Sequence, residues 1–287
     1  MVTDEERDYM YRAYATDARS KINLGIRRRL FPLVGNNRRR VELMNILLFS
    51  LPGTPIIYYG DEIGMGDNRF LGDRDGVRTP MQWSPDRNAG FSRVNSQQLY
   101  LPVIIDSEYH YESLNVENQE KNLSSMLWWM KRVIAMRKNF KAFSQGEIHF
   151  LMPENMKVLS FIRRFEDEII LVVINLSRFS QYVQLDLREF EGYSPQEIFS
   201  QNEFPVINNK AYTLTLGPHN HYWFVLKKQE RKTKIYIDKK PVLYFEKNWT
   251  EFMEPDKLQR FEEIVLPRYL PKCRWFAGKS RVIRSIK

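Results

Sequence analysis

The sequence predicts an α/β segment followed by a small antiparallel all-β domain, and three observations carry that class. A buried helix closed by Pro52-Gly53 leads at once into the apolar run Pro55–Tyr59, which is one helix-to-strand step of an α/β fold. After Gly146 the hydrophobic period changes to two, and short β-branched or aromatic runs alternate with turn residues. The composition, 43% hydrophobic and 28% charged over 287 residues, is globular and excludes a disordered chain. No apolar run approaches the roughly 20 residues of a membrane-spanning helix. At about 100–200 residues per domain, the length predicts two domains and part of a third.

Residues 5–20 read as a helix with Asp4 as N-cap and acids in its first turn. The stretch 21–37 carries Gly25, Pro32 and Gly35 and reads as loop. Within 37–51, apolar residues at Val41, Met44, Ile46, Leu47, Leu48 and Leu51 predict a buried helix. Pro55–Gly64 then reads as a short buried strand ending in glycines and acids. From Met65 to Gln98 the periodicity disappears. A loop of this length is functional or disordered, and Phe70, Met81, Trp83 and Phe91 among its polar residues predict a packed one. Residues 119–140 form an amphipathic helix through Leu123, Met126, Leu127, Met130, Val133, Ile134 and Met136. Strands are expected at 157–165, 168–176, 180–187, 211–216 and 221–226. A charged linker (227–234), two short strands within 234–248 and a helix over Asp256–Val265 close the chain.

The net charge of +9 is unevenly spread. Residues 227–287 hold 17 basic and 8 acidic side chains, whereas the first 226 residues hold 27 of each. A neutral body argues against a nucleic-acid partner, and no membrane partner is expected. The lone Cys273 excludes a disulfide within the chain and fits a reducing compartment. No basic, apolar leader precedes Asp4, so a cytoplasmic location is the expectation.

His219-x-His221 places two imidazoles on one strand face without a third ligand, and reads as a surface strand end rather than a metal site. Ala277-Gly278-Lys279-Ser280 lacks the earlier glycine of a phosphate loop. The runs Arg27–Arg29 and Arg38–Arg40 read as a solvated rim pairing with acids such as Asp4, Glu5 and Asp8, with an anion site at the helix N-terminus as the alternative. Asp61 and Glu62 follow the buried run. Adjacent strand residues point to opposite faces, so one is a ligand contact and the other structural. Asp73, Arg74, Asp75 and Arg78 form a cluster able to share hydrogen bonds with vicinal hydroxyls, and Tyr58, Tyr59 and Trp83 offer stacking surfaces. Residue types alone leave sugar binding as one reading among several.

Pro52-Gly53-Thr54-Pro55-Ile56-Ile57-Tyr58-Tyr59-Gly60-Asp61-Glu62-Ile63-Gly64, followed by Arg78-Thr79-Pro80-Met81-Gln82-Trp83, resembles the α-amylase superfamily of glycoside hydrolases and transglycosidases. The fuller run Gly64–Asn68 with Asp73–Ser84, and the opening residues 1–33, are similar to the trehalose synthase branch. Leu266–Lys279 resembles the start of the maltokinase domain often fused behind it. The resemblance implies three parts. Residues 1–143 would be the C-terminal part of a (β/α)8 barrel, a fold of about 250 residues. Residues 144–227 would be the C-terminal β-sandwich, and 228–287 a linker and the first strands of an α+β kinase-like N-lobe. It also implies maltose and trehalose as substrates of the full-length protein, interconverted by intramolecular transglucosylation. The nucleophile, acid/base and stabilising carboxylates are expected upstream of Met1, with none in this chain. Arg78 is the implied contact to the reacting glucose, Asp75 and Arg74 are implied groups of the site's rim, and Asp61 is an implied loop anchor at the substrate site. No cofactor is expected in this chain; calcium is a candidate for the remaining barrel, and ATP and magnesium for the kinase part. An oligomer is left open. An oligo-1,6-glucosidase-type hydrolase and a non-catalytic carbohydrate-binding remnant are the alternatives.

Overall fold

Thr3, rather than Asp4, caps the first helix. Its hydroxyl accepts from the Glu6 amide while the Glu6 carboxylate accepts from the Thr3 amide, a capping box that starts α1 (Asp4–Tyr14). The computed structural model describes residues 2–23, 25–228, 253–270, 273 and 275, in two units, Met1–Gln229 and Glu230–Lys287. In the first unit a short antiparallel pair, β1 (Lys21–Ile22) and β2 (Gly25–Ile26), and the helical turn α2 (Leu30–Leu33) occupy the stretch expected as loop.

Asn37 caps α3 (Arg38–Ser50), which ends at Leu51 before Pro52. The strand expected at Pro55–Tyr59 is not formed: the segment is non-helical, unladdered, and Ile56 is 83% exposed. A strand needs neighbouring N–H and C=O groups as well as apolar side chains, and no ladder partner lies beside this one among the described residues. The described part of 1–146 accordingly contains no parallel ladder; its ladder is the β1–β2 pair. The loop from Met65 onward is packed, but of the four residues expected to pack it only Met81 is buried, while Phe70, Trp83 and Phe91 stay exposed. Ile63, Met65, Met81, Ile104, Tyr109 and Leu127 bury together beneath it.

The single helix expected at 119–140 is two. Asn115 caps α4 (Val116–Glu120), and Ser125 caps α5 (Met126–Asn139) after a break at 121–125. The short helix α6 (Lys141–Gln145) leads into the β region. Its strands are β3 (Glu147–Leu151), β4 (Val158–Phe165), β5 (Glu168–Asn175), β6 (Gln181–Leu185), β7 (Tyr193–Glu197), β8 (Tyr212–Leu216) and β9 (His221–Lys228). All pair antiparallel, in a five-stranded sheet ordered β3-β4-β5-β9-β7 and a two-stranded sheet β6-β8. Strands β3 and β7 were not expected.

Both faces of the larger sheet are covered, which explains why β5 reads Ile-Ile-Leu-Val-Val-Ile without a polar interruption. Ile170, Val172 and Ile174 face a helical layer with Val41, Ile46 and Phe49 of α3 and Met130 and Val133 of α5. Ile169, Leu171 and Val173 face the β6-β8 sheet through Val183, Leu185, Leu214 and Leu216. At the helical face, buried Arg163 donates to the Ser50, Phe143 and Gly146 carbonyls at 3.1, 3.0 and 2.8 Å, and the Trp223 indole donates to the Ser50 hydroxyl at 2.8 Å. The guanidinium thus satisfies orphan carbonyls at two helix ends.

In the second unit, α7 (Pro255–Arg260) runs through a wider turn, Phe261–Val265, into α8 (Leu266–Tyr269), so the helix extends beyond the expected Val265. The two strands expected within 234–248, and most of the kinase-like start, lie outside the described residues. Among the described residues, no helix is long and apolar enough to cross a membrane.

Candidate functional site

Gly60 makes the turn that organises the site. With φ at +87° it adopts a left-handed conformation, and a Cβ there would stand 2.4 Å from the Met65 sulfur. Amides of Ile63 and Met65 donate to the Gly60 carbonyl at 3.2 and 2.9 Å. Asp61 and Glu62 therefore sit in a tight turn rather than at a strand end, and they diverge.

Asp61 turns toward buried Arg29, 3.5 Å from its Nη1. The same guanidinium donates to the Tyr59 carbonyl at 2.6 Å and lies 4.9 and 4.8 Å from the ring centres of Tyr58 and Tyr59. Burial pushes the Asp61 carboxyl up to about 6, with Arg29 opposing and Glu62 reinforcing the rise. Glu62 faces the other way and lines an open cleft of about 470 Å³ with Tyr59, Arg78, Trp83, Phe91 and Tyr100. Its Oε2 is buried without a hydrogen-bond partner among the described residues.

The Tyr59 hydroxyl donates to the Thr79 carbonyl at 2.8 Å and holds the two motif segments together. Gln82, fully buried, donates to the Tyr109 and Leu114 carbonyls at 3.0 and 2.6 Å. Amides of Val116 and Glu117 in turn donate to the Gln82 and Trp83 carbonyls, both at 3.0 Å. Asn88 and Ala89, both at positive φ, turn the chain so that the Trp83 amide meets the Ala89 carbonyl at 2.8 Å. Trp83 is thereby presented half-exposed at the cleft.

Of the residues singled out in the sequence, Arg78 lines the cleft and is exposed, and its guanidinium engages no partner among the described residues. Asp75 is half-buried at the start of the helical turn 75–77, where its carbonyl accepts from the Arg78 amide at 3.0 Å. Arg74 is exposed just before that turn. Arg74, Asp75 and Asp61 are not among the cleft-lining residues, and Asp61 stands behind the turn against Arg29.

The first arginine run is no solvated rim. Arg27 donates to the carbonyls of Leu71, Asp73, Arg19 and Arg69, clamping the loop, and Arg28 pairs with Asp67 at 2.9 Å. Arg29 is the residue the sequence reading missed; its one signal was a place in a charged run whose partners lie some 30 residues on. His221 is largely buried rather than at the surface, and burial pulls its imidazole down to about 4. Among the described residues no group of three or more His, Cys, Asp or Glu is placed to hold a metal ion.

Comparisons with known proteins agree with this architecture. Residues 26–146 match the alpha amylase catalytic domain, and residues 148–223 the C-terminal domain of maltogenic amylase. A trehalose synthase from Pimelobacter sp. (strain R48) is 53% identical over 230 residues, covering 79% of this chain and 40% of that protein. One from Thermus thermophilus is 52% identical over 230 residues, covering 80% and 24%. The crystal structure of a trehalulose synthase from Pseudomonas mesoacidophila MX-45 shares the fold, with a TM-score of 0.56 at 22% identity over 71% of this chain and 42% of that one. The chain thus spans two-fifths or less of the trehalose synthases it matches. Over four-fifths of its own length it is similar to the trehalose synthases, joining part of an α-amylase-type catalytic domain to a maltogenic-amylase-type β domain.

Proposed function

We propose that residues 1–227 are the C-terminal part of a trehalose-synthase-type enzyme, with 1–143 completing its barrel and 144–227 its sandwich, and that they supply one wall of its sugar site. The observation that carries this reading is the meeting of Arg78, Trp83 and Glu62 in one cleft, two of them from the Arg78–Trp83 motif. The whole protein would interconvert maltose and trehalose. A nucleophilic carboxylate attacks C1 of the non-reducing glucose, breaking its bond to O4 of the second glucose while a carboxylic acid protonates O4. The freed glucose turns within the site. The deprotonated acid then takes the proton from its anomeric hydroxyl, whose oxygen attacks C1, breaks the ester and forms the 1,1 linkage.

Such a pair of carboxyl groups lies about 5–5.5 Å apart. In this reading the pair comes from other segments of a longer protein, and Glu62 is the carboxylate that the described residues bring to the cleft. This chain's part is binding and confinement. Arg78 donates to hydroxyls of the reacting glucose, with Arg74 and Asp75 behind it on the rim and Asp61 anchoring the turn that aims Glu62. Trp83, Phe91 and Tyr100 supply apolar faces that hold the freed glucose and exclude water, which would otherwise intercept the glucosyl-enzyme. Residues 228–287 read as the start of a maltokinase-type module that would use ATP and magnesium.

A graft tests the reading: residues 1–227 replace the matching segment of the Pimelobacter enzyme, and maltose and, separately, isomaltose are supplied. Trehalose formation is the expected result. Isomaltose hydrolysis without trehalose would establish the oligo-1,6-glucosidase alternative, and a folded chimera active on neither sugar would leave the binding-remnant reading. The kinase reading fails if the longer protein, given ATP and magnesium, transfers no phosphate to maltose.

A further inference from the structure

The arginine run before α2 holds a charge that the cleft does not use. Arg27 spends its Nη groups on the carbonyls of Arg19, Arg69, Leu71 and Asp73, and pairs with no carboxylate among the described residues. Where it ties these two segments together lies a groove of about 310 Å³. One segment brings Arg19 and Lys21 to it, and the other brings Arg69, Phe70 and Asp73. The groove shares no lining residue with the cleft of Arg78 and Trp83. We propose that it is a second site, for the dianion of a small phosphomonoester of the monosaccharide phosphate class.

The charge balance of the lining carries the argument. Arg69 is neutralised by Asp17, 3.5 Å away. Arg19 and Lys21 are exposed and have aromatic rather than acidic neighbours. The Arg19 guanidinium stands 4.9 Å from the centre of the Phe70 ring, and Lys21 Nζ 4.6 Å from that of Tyr11. A ring contact steadies a cation without supplying a counter-charge. Arg19, Lys21 and Arg27 therefore face one free carboxylate, that of Asp73, and the lining keeps two positive charges in excess. A phosphomonoester carries about −2 above neutral pH, so one bound dianion balances the groove. Guanidinium and ammonium groups are also the natural donors to phosphate oxygens. The volume stands at the lower end for small-molecule sites, which suits a monosaccharide ester better than a nucleotide. The Asp73 carboxylate, an acceptor only, is left to receive the sugar hydroxyls.

Isothermal titration calorimetry of the full chain tests this, at pH 8 and low ionic strength, with glucose 6-phosphate and inorganic phosphate as probes. Excess glucose in the cell occupies any site for the uncharged sugar. Glucose 6-phosphate should still saturate a single site. Arg19→Gln and Lys21→Gln should each weaken it about fivefold with an unchanged melting temperature, since both side chains are exposed. Arg27 is left in place because it clamps the loop. Arg39→Gln, an exposed charge in the other arginine run, should leave the affinity unchanged. An equal loss in Arg39→Gln would mean diffuse attraction to a basic surface and overturns the proposal. Full affinity in the double variant Arg19→Gln/Lys21→Gln assigns the binding elsewhere, as to the basic residues 227–287, and overturns it too. Absence of binding overturns it equally. Inorganic phosphate that binds as tightly as the ester, and is weakened by the same two substitutions, supports the groove and refutes the sugar part of its ligand.

Discussion

Two buried ionisable groups in the first unit push acid stability in opposite directions, and removing either should expose the other. Burial lowers His221 from 6.5 to about 4, so the unfolded chain binds the proton more readily than the native one between those values. Native stability from this group is complete above pH 6.5 and is lost as pH falls toward 4. Asp61 is raised from 3.8 to about 6, because desolvation outweighs the attraction of Arg29. Here the native state holds the proton more tightly, so stability is complete below 3.8 and is lost as pH rises through 6. At about 1.4 kcal/mol per unit, each group contributes on the order of 3 kcal/mol across its window. The two windows nearly coincide, and the contributions offset. Urea unfolding followed by tryptophan fluorescence, from about pH 4 to pH 6.5, gives the measurement. Relative to wild type, Asp61→Asn should gain roughly 3 kcal/mol as pH rises across that range, and His221→Gln should lose a similar amount. Parallel curves for wild type and both variants would refute the reasoning, since neither group would then differ between native and unfolded states.

Arg163→Met keeps most of the volume but leaves the Ser50, Phe143 and Gly146 carbonyls unpaired. Removing the buried charge offsets part of that cost, and a net loss of about 3 kcal/mol is expected in the same urea assay. A change within about 0.5 kcal/mol would show those bonds to be dispensable. Gly66→Ala places a methyl 2.2 Å from the Tyr109 ring, whose hydroxyl donates to Asn36; a loss of about 1–3 kcal/mol should follow, and an unchanged melting temperature would contradict it. In the grafted enzyme, Arg78→Ala and Trp83→Ala should separate the two roles assigned to the cleft. Loss of Arg78 lowers trehalose formation and hydrolysis together, whereas loss of Trp83 raises glucose release relative to trehalose. Equal ratios of the two products in both variants would remove the confinement role.

How much of this was legible in the sequence depended on where each residue's partners lie. Strands β4, β5, β6, β8 and β9 were visible because both their alternation and their turns are local. Strand β7 was not: Ser194, Pro195 and Glu197 are poor strand formers, held extended by pairing with β9. β3 lacks clean alternation because only Ile148 and Leu151 turn inward. The run Pro55–Tyr59 failed the other way, with strand propensity but no ladder. The break before α5 was written locally as Ser125, a cap signal outweighed in the reading by the apolar period running through it.

The cleft shows the same division. Arg78 and Trp83 were legible through a motif; the divergence of Asp61 and Glu62 was expected from strand alternation, but the Gly60 turn produces it instead. Which of the two faces the cleft was not legible, because Arg29 makes that choice. Its guanidinium is fixed on the Tyr59 carbonyl and against two tyrosine rings, and there it draws Asp61 behind the turn. Glu62 is then left on the open side with an unsatisfied oxygen. A residue from one charged run thus decides the chemistry of a turn some 30 residues later, through a contact that no local period encodes. Arg29→Met should release Asp61 from that pairing and lower trehalose formation in the grafted enzyme, although Arg29 reaches the cleft only through Tyr59 and the turn. Full activity in that variant would mean the Gly60 turn alone aims Glu62.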